Sequence, residues 1–291
     1  MHALPFFIAL ACAVLLAPAL LRSLAEAGHA KANYRDRLLP FPFGLLILLA
    51  ALLALIPLTL LRVLASSDVF HAETLPIVIY ALGMLALGLV DDTLGERPQS
   101  QRPRGDGPDQ RHPPPRGWRG HGAALLRGEL STGVVKAVGS LGLALFALSR
   151  LGLSDGRWLL AVAVLVLATN AFNLLDLRPG RAIKAFILLG FGLSIGAGSP
   201  RQLWSLGLFA APALVAGLYD VRERAMLGDT GANLLGALGG MWIVLVLSTT
   251  GQAIALALLL AMTIYGELRS ISGFIERTPG LRQLDSLGRP A

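Results

Sequence analysis

Four short stretches of this chain put carboxylates, asparagines and a lysine where long apolar runs end. The first is Gly88-Leu89-Val90-Asp91-Asp92-Thr93-Leu94-Gly95. Two adjacent carboxylates at a helix C-terminus oppose the macrodipole, which favours cations there. A metal ion or a proton-transfer role compensates that cost; the plain alternative is a solvated helix end. The second is Asn170-Ala171-Phe172-Asn173-Leu174-Leu175-Asp176-Leu177-Arg178-Pro179-Gly180-Arg181. Asn170 and Asn173, three apart, share one helical face, with Asp176 a turn further on. Asparagines in an apolar segment are expensive unless they bond something, and Pro179-Gly180 ends the helix with backbone N–H groups free to face a ligand.

The third stretch, Met226-Leu227-Gly228-Asp229-Thr230-Gly231-Ala232-Asn233, opens another apolar run. Asp229 or Thr230 would serve as an ordinary N-cap, while the flanking glycines permit close approach to a bound anion. The fourth runs from Gly117-Trp118-Arg119-Gly120-His121 to Leu130-Ser131-Thr132-Gly133-Val134-Val135-Lys136. Lys136 falls about a turn inside an apolar segment, which points to an anionic partner more than to simple snorkelling. Oxygen ligands of this kind, beside waters and phosphates, suit Mg²⁺ or Mn²⁺. Such an ion neutralises phosphate and supports in-line phosphoryl transfer. The residues therefore point to a membrane enzyme or transporter for an anionic, phosphorylated substrate.

Helices must hold these groups. Apolar residues make up 54% of the 291-residue chain and charged ones 15%, well below the roughly 25% usual in soluble domains. Apolar runs near 3–21, 43–61, 74–90, 133–149, 158–175, 183–199, 203–219, 232–250 and 251–266 approach the ~20 residues that cross a bilayer. The expectation is an all-α polytopic bundle of about nine transmembrane helices, with 1–291 as one integral membrane domain. With nine spans, 21 of the 25 Lys and Arg fall on one side, and only Arg62, Arg150, Arg157 and Arg201 on the other. The positive-inside rule then places the N-terminus outside and the C-terminus in the cytoplasm. Fifteen of 18 acidic residues share the basic side, which that rule does not require.

The net charge of +7 is explained by topology and anionic headgroups, with no need of nucleic acid. Cys12, the single cysteine, allows no intrachain disulfide and no thiolate metal site. Segment 97–119, rich in Pro, Gly, Arg and Gln, is expected to be a mobile cytoplasmic loop, and 267–291 a cytoplasmic tail.

These motifs, in this order, resemble the polyprenyl-phosphate sugar-1-phosphate transferases, which include the phospho-MurNAc-pentapeptide translocase and the GlcNAc-1-phosphate transferases. The resemblance covers about residues 30–250. It is carried by Gly88-Leu89-Val90-Asp91-Asp92, Lys136, Asn170-x-x-Asn173-x-x-Asp176 and Gly228-Asp229-Thr230-Gly231. It implies Mg²⁺-dependent transfer of a sugar-1-phosphate from a UDP-sugar to polyprenyl (undecaprenyl) phosphate, releasing UMP, at the cytoplasmic face of the cell membrane in envelope glycan synthesis. A homodimer stays open. By the same resemblance Asp91, Asp92 and Asp176 are catalytic, Asp229 and Asp92 hold the metal, and Lys136, Asn170 and Asn173 bind substrate.

The chain also departs from that pattern. Where the family continues Gly-x-Asp-Gly after the first aspartate, this chain reads Leu177-Arg178-Pro179-Gly180, and no histidine lies beyond His121. Relatives commonly have ten or eleven spans. The lipid-phosphate and metal half is kept and the nucleotide-sugar half altered, with Arg178 and Arg181 as replacement ligands for a diphosphate. The alternatives are a non-catalytic polyprenyl-phosphate-binding protein and, more weakly, an ion-coupled transporter, whose sites normally lie near the midplane.

Overall fold

A computed structural model describes residues 1–66, 68–94 and 132–290. The expected mobile loop 97–119, and the stretch from Gly117 to Ser131, lie outside the described residues. The chain opens with helix α1 (Leu4–Glu26), followed by strands β1 (Ala30–Ala32) and β2 (Leu38–Pro40). Helices α2 (Leu45–Leu64), α3 (Thr74–Leu94), α4 (Thr132–Leu148), α5 (Asp155–Leu175) and α6 (Arg181–Ala197) come next. After them are α7 (Arg201–Ser205), α8 (Gly207–Val221), α9 (Gly228–Val246), α10 (Thr249–Leu268), α11 (Ile271–Arg277) and α12 (Pro279–Ser286).

Each expected apolar run except 203–219 falls on a single helix among the described residues. Among the described residues six helices are long and apolar enough to cross a membrane: α1, α2, α3, α5, α9 and α10. The chain is an all-α membrane protein. Helices α4 and α8 are apolar but shorter. The run at 203–219 is not one continuous helix: α7 stops and α8 starts afresh at Gly207. Fifteen residues at 1.5 Å rise give α8 a length of about 22 Å, short of the ~30 Å hydrocarbon thickness.

Two features were not expected. β1 and β2 form a small antiparallel ribbon in which Lys31 faces Leu39. Its turn is shaped by Asn33, whose Oδ1 accepts from the Arg35 and Arg37 amides at 2.8 and 3.1 Å, the side-chain turn mimicry asparagine favours. Glu223, 3% exposed, fastens the ribbon to the rest of the protein. It accepts from Asn33 Nδ2 and Tyr34 OH, each at 3.2 Å, and from Arg37 Nη1 at 3.5 Å. The second feature is the tail, which folds into α11 and α12 and returns across the helix ends.

Helix α9 is the axis of the bundle. Its most apolar stretch is 83% buried, against 11% for α10, so α10 is peripheral and turns Ile254, Leu258 and Ile264 outward. α9 packs chiefly against α5 and α3. Small residues make this possible, since in an apolar solvent helices associate through close van der Waals packing. Gly88 is the clearest case. A Cβ there would fall onto the backbone of Asp229 and Thr230, so only glycine lets the end of α3 lie against the start of α9. One turn past Gly88 come Asp91 and Asp92.

Candidate functional site

The two neighbouring aspartates of α3 point to different partners, as residues 100° apart on a helix must. Asp92 turns to α9. Its Oδ1 accepts from the Asp229 amide at 2.9 Å, and its Oδ2 from the Thr230 amide at 2.8 Å and the Thr230 hydroxyl at 2.6 Å. The N-cap position of α9 is Leu227, with no side-chain cap of its own. The expectation that Asp229 or Thr230 caps this helix is therefore corrected: Asp92 supplies the cap from another helix, satisfying amides that would otherwise be orphaned. Gly228, at φ +72°, leaves no room for a Cβ beside the Asp92 carboxylate.

Asp91 turns the other way, to Lys136 near the start of α4. The Lys136 ammonium lies 2.6 Å from Asp229 Oδ2 and 3.3 Å from Asp91 Oδ2, so the two carboxyls meet at one cation. Asn173, near the end of α5, completes the group. With its amide oriented to satisfy both ends, it donates to Asp229 Oδ1 at 3.0 Å and accepts from Lys136 Nζ at 3.1 Å. Four helix ends thus bring two carboxylates, one ammonium and one amide to a single point.

Asp176 caps α5 just beyond this group and lines a small adjoining cleft with Asn33, Tyr34, Arg178, Asp220 and Met226. Burial pushes its carboxyl well above the usual range, and the charges of Asp220, Asp229 and Asp92 push it further. Asp220, which the sequence argument did not single out, is 4% exposed. It accepts from the Gly180 amide at 2.6 Å and from the Leu227 amide at 3.4 Å. The amide that Pro179-Gly180 was expected to offer a ligand is thus engaged by Asp220. The available signal was the one that marked Asp91: an acid in the last turn of an apolar helix.

Other expected residues lie elsewhere. Asn170 does not share the position of Asn173. Its Nδ2 donates to Thr263 Oγ1 of α10 at 3.1 Å, because three residues advance a helix by 300°, leaving the two side chains about 60° apart. Arg178 pairs with Glu276 at 3.0 Å and lies 4.2 Å above the Tyr34 ring. Arg181, 5% exposed, grips Asp285 of α12 with Nε at 2.9 Å and Nη2 at 3.0 Å.

Among the described residues no three His, Cys, Asp or Glu side chains form a metal-holding group. Mg²⁺ does not need three, since it is usually held by one or two carboxylates with waters and substrate phosphates. Asp91 and Asp229, with the Asn173 amide beside them, fit that mode if the Lys136 ammonium shifts onto a phosphate. Asp92 has three of its roughly four lone-pair directions used by α9, so the geometry moves weight for a metal role from Asp92 to Asp91. Comparison with known protein families and with curated proteins finds no match for this chain.

Proposed function

We propose that this protein is a membrane-embedded phosphoglycosyl transferase, moving a sugar-1-phosphate from a UDP-sugar to polyprenyl phosphate and releasing UMP. The observation that carries the proposal is Lys136 between Asp91 and Asp229 at 3.3 and 2.6 Å, with Asn173 alongside. A cation held by two carboxylates at converging helix ends suits an arriving pair of phosphates. Further support comes from the motif order that resembles the transferase family. In the proposed topology the chain crosses the cell membrane nine times, α7 and α8 together making one pass, the N-terminus is outside, and the site faces the cytoplasm.

A bound Mg²⁺ would neutralise the donor diphosphate and make its β-phosphorus a better electrophile. Asp91 and Asp229 would hold that ion, and Asn173 would orient Asp229. Asp92 fixes the backbone of Asp229 and Thr230, so the ligands keep their geometry without reorganisation. Lys136 would leave the carboxylates for the phosphates and stabilise charge as it redistributes. An oxygen of the lipid phosphate attacks the β-phosphorus; the bond from that phosphorus to the bridging oxygen breaks, and UMP leaves with the electron pair. Asp176 lines the adjoining cleft, which would receive the donor.

Purified protein given Mg²⁺, undecaprenyl phosphate and a panel of UDP-sugars tests this. UMP release with at least one donor, lost in Asp229→Asn, is expected; silence across a broad panel beside an active control overturns it. One observation favours a second reading, a non-catalytic polyprenyl-phosphate binder. Both arginines suited to a donor diphosphate, Arg178 and Arg181, are paired with the tail carboxylates Glu276 and Asp285. On that reading Lys136→Ala abolishes lipid-phosphate binding while Asp91→Asn leaves binding and cell phenotype unchanged.

A further inference from the structure

The start of α6 carries more positive charge than its surroundings match. Arg181 is its first residue and Lys184 lies one turn on, with no acid in the first turn. Cations at a helix N-terminus are disfavoured by the macrodipole, and anions favoured. The carboxylate that meets them comes from the far end of the chain. Asp285 is held by Arg181 at 2.9 and 3.0 Å and by Arg289 at 2.7 and 3.2 Å, and Lys184 Nζ donates to its backbone oxygen at 2.6 Å. Two guanidiniums each gripping one carboxylate by both its oxygens is the geometry used for phosphate.

Three cations meet two carboxylates here, Asp285 and the neighbouring Asp220, whose charge acts on both Lys184 and Arg289. Arg289 belongs to the strap, so Arg181 and Lys184 are the cations that α6 itself holds out, and a group bearing two negative charges matches that pair in number where the single Asp285 carboxylate does not. The segment that brings Asp285 is a strap. It is anchored by Ile271 and Ile275, at 7% and 9% exposure. At its far end it is tied by Arg289 Nε to the Pro179 carbonyl at 2.8 Å, beside the cleft of Asp176.

We propose that Arg181 and Lys184 form a site for a phosphate or diphosphate group, and that the C-terminal strap occupies it with Asp285 until such an anion displaces it. This deepens the transferase proposal and rests on it for the natural ligand, the phosphate of a nucleotide. When the strap lifts, Arg289 leaves with it, and Arg181, Lys184 and the α6 N-terminus remain to meet the dianion.

The test uses the full chain in detergent with inorganic pyrophosphate as the probe. Pyrophosphate affinity is measured by calorimetry for the wild type, Asp285→Asn and Arg289→Ala, with amide hydrogen exchange over residues 271–290. Expected results are at least about tenfold tighter binding in both variants, faster strap exchange in both, and the same acceleration in wild type when pyrophosphate is added. Adding Arg181→Ala to Asp285→Asn abolishes the gain. Equal affinities across the three proteins, or strap exchange indifferent to pyrophosphate, overturn the proposal. Arg289→Ala loosens the strap from its own side and leaves Arg181 and Asp285 in place, so a folding failure of Asp285→Asn does not blunt the test. A second arm separates a soluble ligand from a lipid headgroup. In phosphatidylcholine nanodiscs with and without phosphatidic acid, the strap stays protected in both; release by phosphatidic acid alone assigns the site to lipid and refutes the nucleotide ligand. Pyrophosphate binding is independent of turnover, so an absence of UMP release defeats the transferase proposal without touching this result.

Discussion

Replacing Lys136 with methionine keeps the length and the apolar stem and removes only the charge. Two unit charges at 2.6 Å attract by about 6 kcal/mol at an effective dielectric of 20, and by about 1.6 kcal/mol in bulk water. The groups lie between those limits, since the Lys136, Asp91 and Asp229 side chains are 15%, 20% and 32% exposed. Removing one partner of a fully buried pair costs about 3–5 kcal/mol, and an exposed pair is worth at most about 1 kcal/mol. With this partial exposure, a loss of about 2–3 kcal/mol is expected. At roughly 2 °C per kcal/mol for a chain of this size, the melting temperature falls by about 4–6 °C. The same change leaves two adjoining carboxylates with no cation between them, so Mg²⁺ gains what the ammonium gave up. Thermal melts in detergent across a Mg²⁺ series are expected to give an apparent affinity at least about tenfold tighter for Lys136→Met than for wild type. At a hundred times its dissociation constant the ion restores about 2.7 kcal/mol, which recovers most of the loss. On the transferase proposal, UMP release stays abolished even at saturating Mg²⁺, because the cation that would meet the phosphates is gone. A melting temperature within about 1 °C of wild type, together with an identical Mg²⁺ dependence, would refute the idea that Lys136 neutralises this pair.

Further outcomes follow from the same geometry. Gly88→Ala drives a methyl group into the Asp229 backbone, so destabilisation of about 1–3 kcal/mol is expected in denaturant melts; a neutral result would show that α3 and α9 can separate. Asp92→Ala removes the cap of α9 and should cost about 0.5–2 kcal/mol, with faster amide exchange at Asp229 and Thr230 as the local readout. The Asp176 carboxyl is raised, so the folded state favours its protonated form, and the stability present at acid pH is lost as pH rises through that folded value. Asp176→Asn is therefore expected to melt higher than wild type at neutral pH and no higher in acid; the reverse order would contradict the raised carboxyl. Burial pushes the Asp285 carboxyl up, but hydrogen bonds from Arg181 and Arg289 outweigh it and hold the group below its ordinary 3.8. Its contribution is thus complete above that ordinary value and disappears as pH falls through the lower folded one. Hydrogen exchange of residues 271–290 is expected to stay slow from neutral pH down to about pH 4 and to accelerate below it, whereas release between pH 5 and 7 would argue against the Asp285 clamp.

The chain's own pattern determined where most of the long apolar helices lie and which of their ends carry acids. Crossing a bilayer imposes a length and an apolar content that a single sequence displays directly, so runs such as 74–90 and 158–175 could be located without a fold. The acids were legible for a related reason: Asp91, Asp176 and Asp229 stand at helix ends where neither the hydrocarbon nor the positive-inside rule explains them. What each side chain touches was not legible. Asp91 and Asp92 are neighbours in sequence, yet one meets Lys136 and the other caps α9, because that choice depends on the rotation of α3 and on the approach allowed by Gly88. Asn170 and Asn173 share a motif, but only the second faces the carboxylates, since the 60° between them straddles the boundary between α9 and α10. Arg181 carries the residue type of a phosphate ligand, and only the returning strap, 104 residues later, decides that it grips Asp285. Local periodicity and length are properties of a segment, and the sequence holds them outright. Partners belong to pairs of segments far apart in the chain, and they exist only once the helices have packed.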